Sequence, residues 1–276
     1  MSELAKRLAT ALVLVPPLIA LVWWGPSWSV ACVLAVFVAG GLYEMSILAE
    51  SVVGSEPSST GMRCLPVLVG LGAYAGWIYC PPAHHLQIGF AVLLCLVSIR
   101  FMVSKSMEKC AMRIAFDLMA VFYLAALVAL MVHTAGEPDG ARVGRRVILA
   151  MLFVVWLGDT GAYFVGRAVG SHKLAPSLSP NKTIEGALGG LLGSVGAMVA
   201  IKLILDLPGS WGWIVVFGIV GGVVEQLGDL FESAIKRNAG VKDSGTTFPG
   251  HGGFLDRLDA ILFAAPLFSL YLWLVT

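Results

Sequence analysis

Apolar residues fall in runs of about twenty along this chain, separated by short polar stretches. A helix needs about 20 mostly apolar residues to cross the hydrocarbon core of a bilayer. The pattern predicts nine such spans, over residues 8–24, 28–49, 65–81, 86–103, 115–133, 145–168, 184–205, 211–235 and 254–275. The expected fold class is therefore all-α: a polytopic integral membrane protein with about nine transmembrane helices. Residues 1–135 read as lipid-facing scaffold helices. Residues 145–276 read as the helices that carry the polar motifs, with loops at 166–183 and 236–253. The two parts are expected to form a single integrated membrane domain. No loop is long enough to fold alone; 50–64 and 134–144 are connections.

Composition sharpens this picture. The chain is 58% hydrophobic and 13% charged, against roughly 25% charged in soluble domains. An ordinary soluble globule is excluded. The net charge of +1 and the absence of a basic block give no reason to expect a nucleic-acid partner. The five cysteines are scattered without zinc spacing and read as small buried hydrophobes. Lys6-Arg7 precedes the first apolar run, and Trp23, Trp24 and Trp28 stand where a signal-peptide cleavage site would need small residues. The run is expected to be a retained span with a cytoplasmic N-terminus. That orientation puts all but four of the 18 lysines and arginines on the inner side, as the positive-inside rule requires. The four exceptions are Arg142, Arg145, Arg146 and Lys202, and no role for them is legible in the sequence. Trp23, Trp24, Trp28, Trp77, Trp211, Trp213 and Trp273 fall near the outer ends, as interfacial anchors do. A helix bearing Gly186, Gly189, Gly190, Gly193 and Gly196, and another bearing Gly218, Gly221 and Gly222, read as close-packing faces.

Against this apolar background, residues 233–259 form a dense polar island. Ionisable residues at membrane depth are costly and mark function. Glu225, Asp229, Glu232 and Lys236 are spaced four, three and four, one stripe of a helix. The loop 238–253 contains Pro249-Gly250-His251-Gly252-Gly253, whose backbone N–H groups can approach an anion, and leads into a further helix start. Asp256, Arg257 and Asp259 follow. Asp229 and Asp256 flank the loop, so a hairpin there can set both around one hard cation, with Glu232 and Asp259 as further candidate ligands. Mg²⁺ is usually held by one or two carboxylates plus substrate phosphates. Lys236, Arg237, Lys242 and Arg257 are placed to grip phosphate oxygens. His251 reads as a substrate-positioning residue.

A second constellation lies at 159–186. Asp159, Tyr163 and Arg167 share a helix face at spacings of four. Ser179-Pro180-Asn181-Lys182-Thr183 then reads as a turn feeding the next helix, with a lysine and free N–H groups. Carboxylates, several bases and two helix starts on one cytoplasmic face point to phosphoryl or nucleotidyl transfer. That chemistry is mostly positioning and electrostatic stabilisation.

The run Ser233-x-x-Lys236-Arg237-x4-Lys242-Asp243-x5-Pro249-Gly250-His251-Gly252-Gly253-x-x-Asp256-Arg257-x-Asp259 resembles the signature of the phosphatidate cytidylyltransferases, the CDP-diacylglycerol synthases. Asp159-Thr160-x-Ala162-Tyr163-Phe164-x-Gly166-Arg167 and Ser179-Pro180-Asn181-Lys182-Thr183-x-Glu185-Gly186 are also similar to that family. Ile184 and Asn181 depart from it, where an aromatic residue and a lysine are frequent. The resemblance implies transfer of CMP from CTP to phosphatidate, giving CDP-diacylglycerol and pyrophosphate in phospholipid biosynthesis. It implies divalent-metal dependence, with Mg²⁺ first, Mn²⁺ as the alternative and room for an added monovalent cation. It implies a homodimer among membrane lipids in the cell (inner) membrane, its site facing the cytoplasm. Carried over residue by residue, Asp229 and Asp256 match the metal positions. Lys182, Ser179, Lys236, Arg237, Lys242 and Arg257 match positions near the nucleotide or lipid phosphate. Asp159, Arg167, Thr183, His251, Gly252 and Gly253 are the remaining substrate-binding candidates.

Three rivals remain at the level of sequence. A CTP-dependent lipid-alcohol kinase would use a similar site and release CDP. An ion-coupled transporter fits the intramembrane acids, but no inverted repeat of the charged motifs is present. A purely structural membrane protein leaves the polar island without purpose.

Overall fold

The computed structural model describes residues 3–54, 59–104, 106–136, 141–248, 250 and 252–276. Ten α-helices account for most of it: α1 (Glu3–Trp24), α2 (Ser27–Val53), α3 (Thr60–Tyr79), α4 (His85–Val103), α5 (Met107–Val121), α6 (Leu127–Gly136), α7 (Ala141–Val169), α8 (Ile184–Leu205), α9 (Trp211–Asn238) and α10 (Asp259–Val275). A π-helical turn at Phe122–Ala126 joins α5 to α6, making one continuous element, Met107–Gly136. Among the described residues, seven helices are long and apolar enough to cross a membrane. The chain is thus a helical membrane protein. The two other expected spans correspond to shorter apolar helices, Val15–Trp24 and Asp259–Val275.

Between α7 and α8 the expected turn is instead a small antiparallel hairpin, β1 (Lys173–Ala175) with β2 (Ser179–Thr183), pairing Lys173 with Thr183 and Ala175 with Ser179. The strand ends in an N-cap: Thr183 Oγ1 accepts from the backbone N–H of Gly186 at 3.1 Å, satisfying a donor the first helical turn would leave free.

Chain contacts divide the molecule into two compact units, with α9 running from one into the other. The first comprises Met1–Pro17, Trp28–Val132 and Ile235–Leu258. Its core is built on α2, where Val38 and Leu42 are fully buried, with Leu96 of α4 and Leu124 of the π turn. Close helix approach is visible at Gly70, where a Cβ would strike the Leu42 side chain. The unit also holds a buried ionic network. Arg100 Nε donates to Asp117 Oδ2 at 2.6 Å, and Arg113 Nε to Asp117 Oδ1 at 3.3 Å. Arg63 Nη2 meets Glu50 Oε2 at 2.8 Å. Buried charge survives in such a setting only when paired and hydrogen-bonded.

The second unit comprises Leu18–Ser27, His133–Ala234 and Asp259–Thr276. Its centre is the α7–α8 contact, and that contact is made of glycine. A Cβ on Gly161 would come within 2.5 Å of the Gly189 carbonyl oxygen, one on Gly193 would collide with the Leu157 carbonyl, and one on Gly189 with Val165. Gly218 of α9 sits against the Val195 backbone in the same way, whereas Gly196 faces open space. Small residues let backbones meet where no hydrophobic drive separates helix from lipid. Three of the four basic residues without a sequence-level role find one here. Arg145 donates to the carbonyls of Trp23 and Gly25 at 2.8 and 3.0 Å. Arg146 donates to Asp206 O at 2.9 Å, and Lys202 to Leu207 O at 2.7 Å. Carbonyls at helix ends have no intrahelical donor, and basic side chains satisfy them.

Candidate active site

The second constellation of the sequence lies wholly in the second unit. On α7, Asp159, Tyr163 and Arg167 stand one turn apart. Arg167 Nη1 donates to the Tyr163 hydroxyl at 2.9 Å. With Asn181, Lys182 and Gln226 they line a cavity of about 500 Å³, to which Thr183 also contributes. Pockets of roughly 300–1,000 Å³ suit small-molecule ligands. The rim is held by Glu185. Its carboxylate accepts from Ser171 N at 3.1 Å, Ser171 Oγ at 2.9 Å and His172 N at 3.2 Å, and it pairs with His172 Nδ1 at 2.6 Å. One side chain at the start of α8 therefore fixes where the hairpin departs. Ser179 is half-buried in β2.

Lys182 reaches out of this hairpin to α9. Its Nζ is 2.5 Å from Asp229 Oδ2, and the two side chains are 26% and 27% exposed. Ser233 Oγ donates to Asp229 Oδ1 at 3.3 Å. One turn earlier, Glu225 is completely buried, and neither of its carboxylate oxygens has a hydrogen-bond partner among the described residues. It lies within electrostatic reach of Asp159, Lys182, Asp229 and Asp259. Glu232, the next acid on the stripe, is also fully buried. Four acids, Glu225 with Asp159, Asp229 and Asp259, thus share this region with one lysine, Lys182.

The polar island contributes to the first unit. Lys236 Nζ donates to Asp256 Oδ1 at 2.6 Å. The other oxygen, Oδ2, accepts from Ser244 N at 2.9 Å and from Ser244 Oγ and Gly253 N at 2.8 Å each. Burial raises the carboxyl's pKa. The Gly253 N–H, Lys236 and the Ser244 N–H outweigh it, so Asp256 is held below the ordinary carboxylate range. Gly252 has φ +75°, a conformation side chains rarely adopt, and a Cβ there would collide with Asp256 Oδ2. The glycines of the motif therefore leave room for the carboxylate, which their backbone meets through the Gly253 N–H. Arg237 and Lys242 are exposed, and Arg237 Nη1 donates to Val241 O at 2.8 Å. Arg257 is half-buried in the 3₁₀ turn Leu255–Arg257. His251 lies outside the described residues.

The structure thus joins Lys182 to Asp229 and Lys236 to Asp256, and it gathers Asp159, Arg167, Lys182 and Thr183 around one cavity. Sequence reasoning missed Glu44 and Ser244. Glu44 of α2 accepts from the backbone N–H groups of Phe254 and Leu255 at 2.9 Å and lies 2.8 Å from Ser244 Oγ, whose single proton it shares with Asp256. A carboxylate inside an apolar run was the available signal; its partners lie some two hundred residues away in the chain and left no trace near it.

Residues 5–275 match the cytidylyltransferase family. Curated relatives named phosphatidate cytidylyltransferase include one from Staphylococcus epidermidis, 45% identical over 158 residues, or 57% of this chain and 58% of that protein. The match thus spans less than two thirds of that relative. A Staphylococcus haemolyticus protein of the same name is 39% identical over 188 residues, covering 68% and 70% of the two chains. One from Staphylococcus aureus is 34% identical over 242 residues, 88% of each.

Proposed function

The chain belongs to the cytidylyltransferase family, and on that premise we propose that it transfers CMP from CTP to phosphatidate, giving CDP-diacylglycerol and pyrophosphate. The observation that carries this reading is the Lys182–Asp229 pair together with the 500 Å³ cavity that Lys182 lines with Asp159, Arg167 and Thr183. Bases and carboxylates in one recess suit a polyanion that arrives with cations. The reaction needs no protein nucleophile. An oxygen of the lipid phosphate attacks the α-phosphorus of CTP, the bond from that phosphorus to the β-phosphate oxygen breaks, and pyrophosphate leaves. Arg167 and Lys182 hold phosphate oxygens in the cavity, and the exposed Arg237 and Lys242 attract the incoming triphosphate.

A divalent ion, Mg²⁺ first, belongs to this proposal, with Asp229 of the second unit and Asp256 of the first each a candidate ligand. Two features support the fit. Each carboxylate already has an ammonium against it at 2.5 or 2.6 Å, so a cation is at home there. Beside Asp229, the buried Glu225 carboxyl offers two oxygens that have no hydrogen-bond partner among the described residues. When bound, the ion would neutralise charge building on the phosphate oxygens. Lys236 is the donor on Asp256 Oδ1, while the Ser244 and Gly253 donors crowd Oδ2, so an ion at Oδ1 would displace or share the place of Lys236 and leave that ammonium for phosphate.

The finer topology is part of the same proposal: nine spans, a cytoplasmic N-terminus, a site open to the cytoplasm from the cell membrane, and a homodimer. The reaction is tested with CTP labelled at the α- or the γ-phosphate, phosphatidate and Mg²⁺ in detergent. The proposal expects α-label in lipid and γ-label in pyrophosphate. Label from the γ-position in lipid, with CDP released, would identify a lipid kinase instead.

A further inference from the structure

Three residues on one face of α2 meet the loop that carries Asp256. Phe37, Gly40 and Glu44 are spaced three and four, so they share a stripe. Phe37 stacks on Phe248 with ring centroids 6.1 Å apart and meets Phe254 edge-on at 5.5 Å. Phe248 and Phe254 also meet each other edge-on, at 5.1 Å. Gly40 leaves the space the Phe254 ring fills, since a Cβ there would collide with that ring. Glu44, 6% exposed, supplies the polar contact. Its Oε1 takes the Phe254 N–H, and its Oε2 takes the Leu255 N–H and faces Ser244 Oγ. The same hydroxyl lies 2.8 Å from Asp256 Oδ2. A Cβ at Gly245 or Gly253 would collide with Glu44 Oε1, so a side chain at either would displace the carboxylate.

We propose that Glu44 is a positioning residue for the proposed cytidylyl transfer: it anchors Ser244, Phe254 and Leu255 to α2 and so fixes the orientation of Asp256 and its partner Lys236. The inference rests on the proposed reaction and gives the N-terminal helices a part in it. The chemistry demands a carboxylate. Two backbone N–H donors that cannot turn away converge on its two oxygens, and the Ser244 hydroxyl, whose single proton Glu44 and Asp256 share, lies beside them. A glutamine in this place would aim its own NH₂ at a donor and leave a buried N–H unpaired. Glu44 is offered no place at the reacting atoms, so its loss should act through geometry alone.

The test uses the full-length protein in detergent. Glu44→Gln is expected to keep the KM for CTP within about twofold, because the cavity residues of the second unit are untouched, while kcat falls at least tenfold. Hydrogen exchange at the Phe254 and Leu255 amides should quicken at least tenfold, with amides of α7 and α8 unchanged. Ser244→Ala, a smaller change, should lower kcat in the same sense. The double variant should lose less than the product of the two single losses, since Glu44 and Ser244 share one contact. Wild-type kcat and wild-type amide protection in Glu44→Gln would overturn the proposal. So would an equal rise in exchange across both units, which would mark a general loss of stability. Where Glu44→Gln does not accumulate, Ser244→Ala decides: unchanged kcat with unchanged Leu255 protection refutes the anchor. If the wild-type protein transfers no CMP, the reaction reading falls, while the exchange measurements still test the anchor by themselves.

Discussion

Replacing Lys236 with methionine removes the ammonium that meets Asp256. The side chain keeps its apolar reach and loses its charge. Lys236 and Asp256 are 11% and 7% exposed in their side chains, so the pair is shielded from water. Removing one partner from a buried pair costs about 3–5 kcal/mol, because the other charge is left uncompensated. Asp256 keeps the Ser244 and Gly253 N–H donors and shares the Ser244 hydroxyl with Glu44, which lowers the expected loss to about 2–3 kcal/mol. At about 2–4 °C per kcal/mol for a chain near this size, the melting temperature in detergent should fall by roughly 4–12 °C. Acid sensitivity should move with it. Asp256 is held below its ordinary range, so its contribution is present above the unfolded carboxylate pKa and is lost as pH falls through the lower, folded value. Without Lys236 the folded pKa rises and that loss begins at higher pH. Thermal unfolding measured from pH 7 down to pH 3, in chelator-treated buffer, reads both effects. A Lys236→Met protein with the wild-type melting temperature and the wild-type acid limb would refute the assigned contact.

Other expectations follow from single contacts. Glu185→Gln turns one acceptor end toward the N–H groups of Ser171 and His172; the hairpin should loosen, and the KM for CTP should rise several-fold with kcat less affected, as steady-state kinetics will read. Gly193→Leu drives a side chain into the Leu157 carbonyl, which cannot move aside, and should destabilise by about 3 kcal/mol or more. Gly196→Leu, facing open space, should stay within about 0.5 kcal/mol; the pair of melting temperatures checks whether α7 and α8 meet where the structure has them.

The helices were legible because lipid-spanning length and apolar content are written into the local sequence. Even Pro16-Pro17 does not stop α1. The last span was expected from 254, but α10 begins at Asp259. Asp256 is drawn away by Ser244 and Gly253, a contact that local periodicity does not encode. The hairpin at 173–183 was hidden for a similar reason: Ser-Pro-Asn-Lys-Thr has little strand propensity, and the contacts of Glu185 with Ser171 and His172 fix where β1 departs. The candidate residues themselves stood out, since carboxylates and lysines in an apolar chain have few other purposes. Their pairings did not. Nothing near Lys182 in the sequence points to Asp229, and nothing near Glu44 points to Phe254. Arg145, Arg146 and Lys202 looked misplaced by charge counting because their partners are backbone carbonyls, which carry no sequence signature.

The central claim is that the carboxylates of Asp229 and Asp256 serve a metal-dependent transfer of CMP to phosphatidate. The most direct measurement compares wild type with Asp229→Ala and Asp256→Ala, each checked for folding, in an assay with α-labelled CTP, phosphatidate and titrated Mg²⁺. The expected result is one lipid-bound label per pyrophosphate in the wild type, dependence on the metal, and at least a hundredfold loss in either variant. Near-full labelling of lipid by either variant, or by the wild type after complete removal of divalent ions, would contradict it.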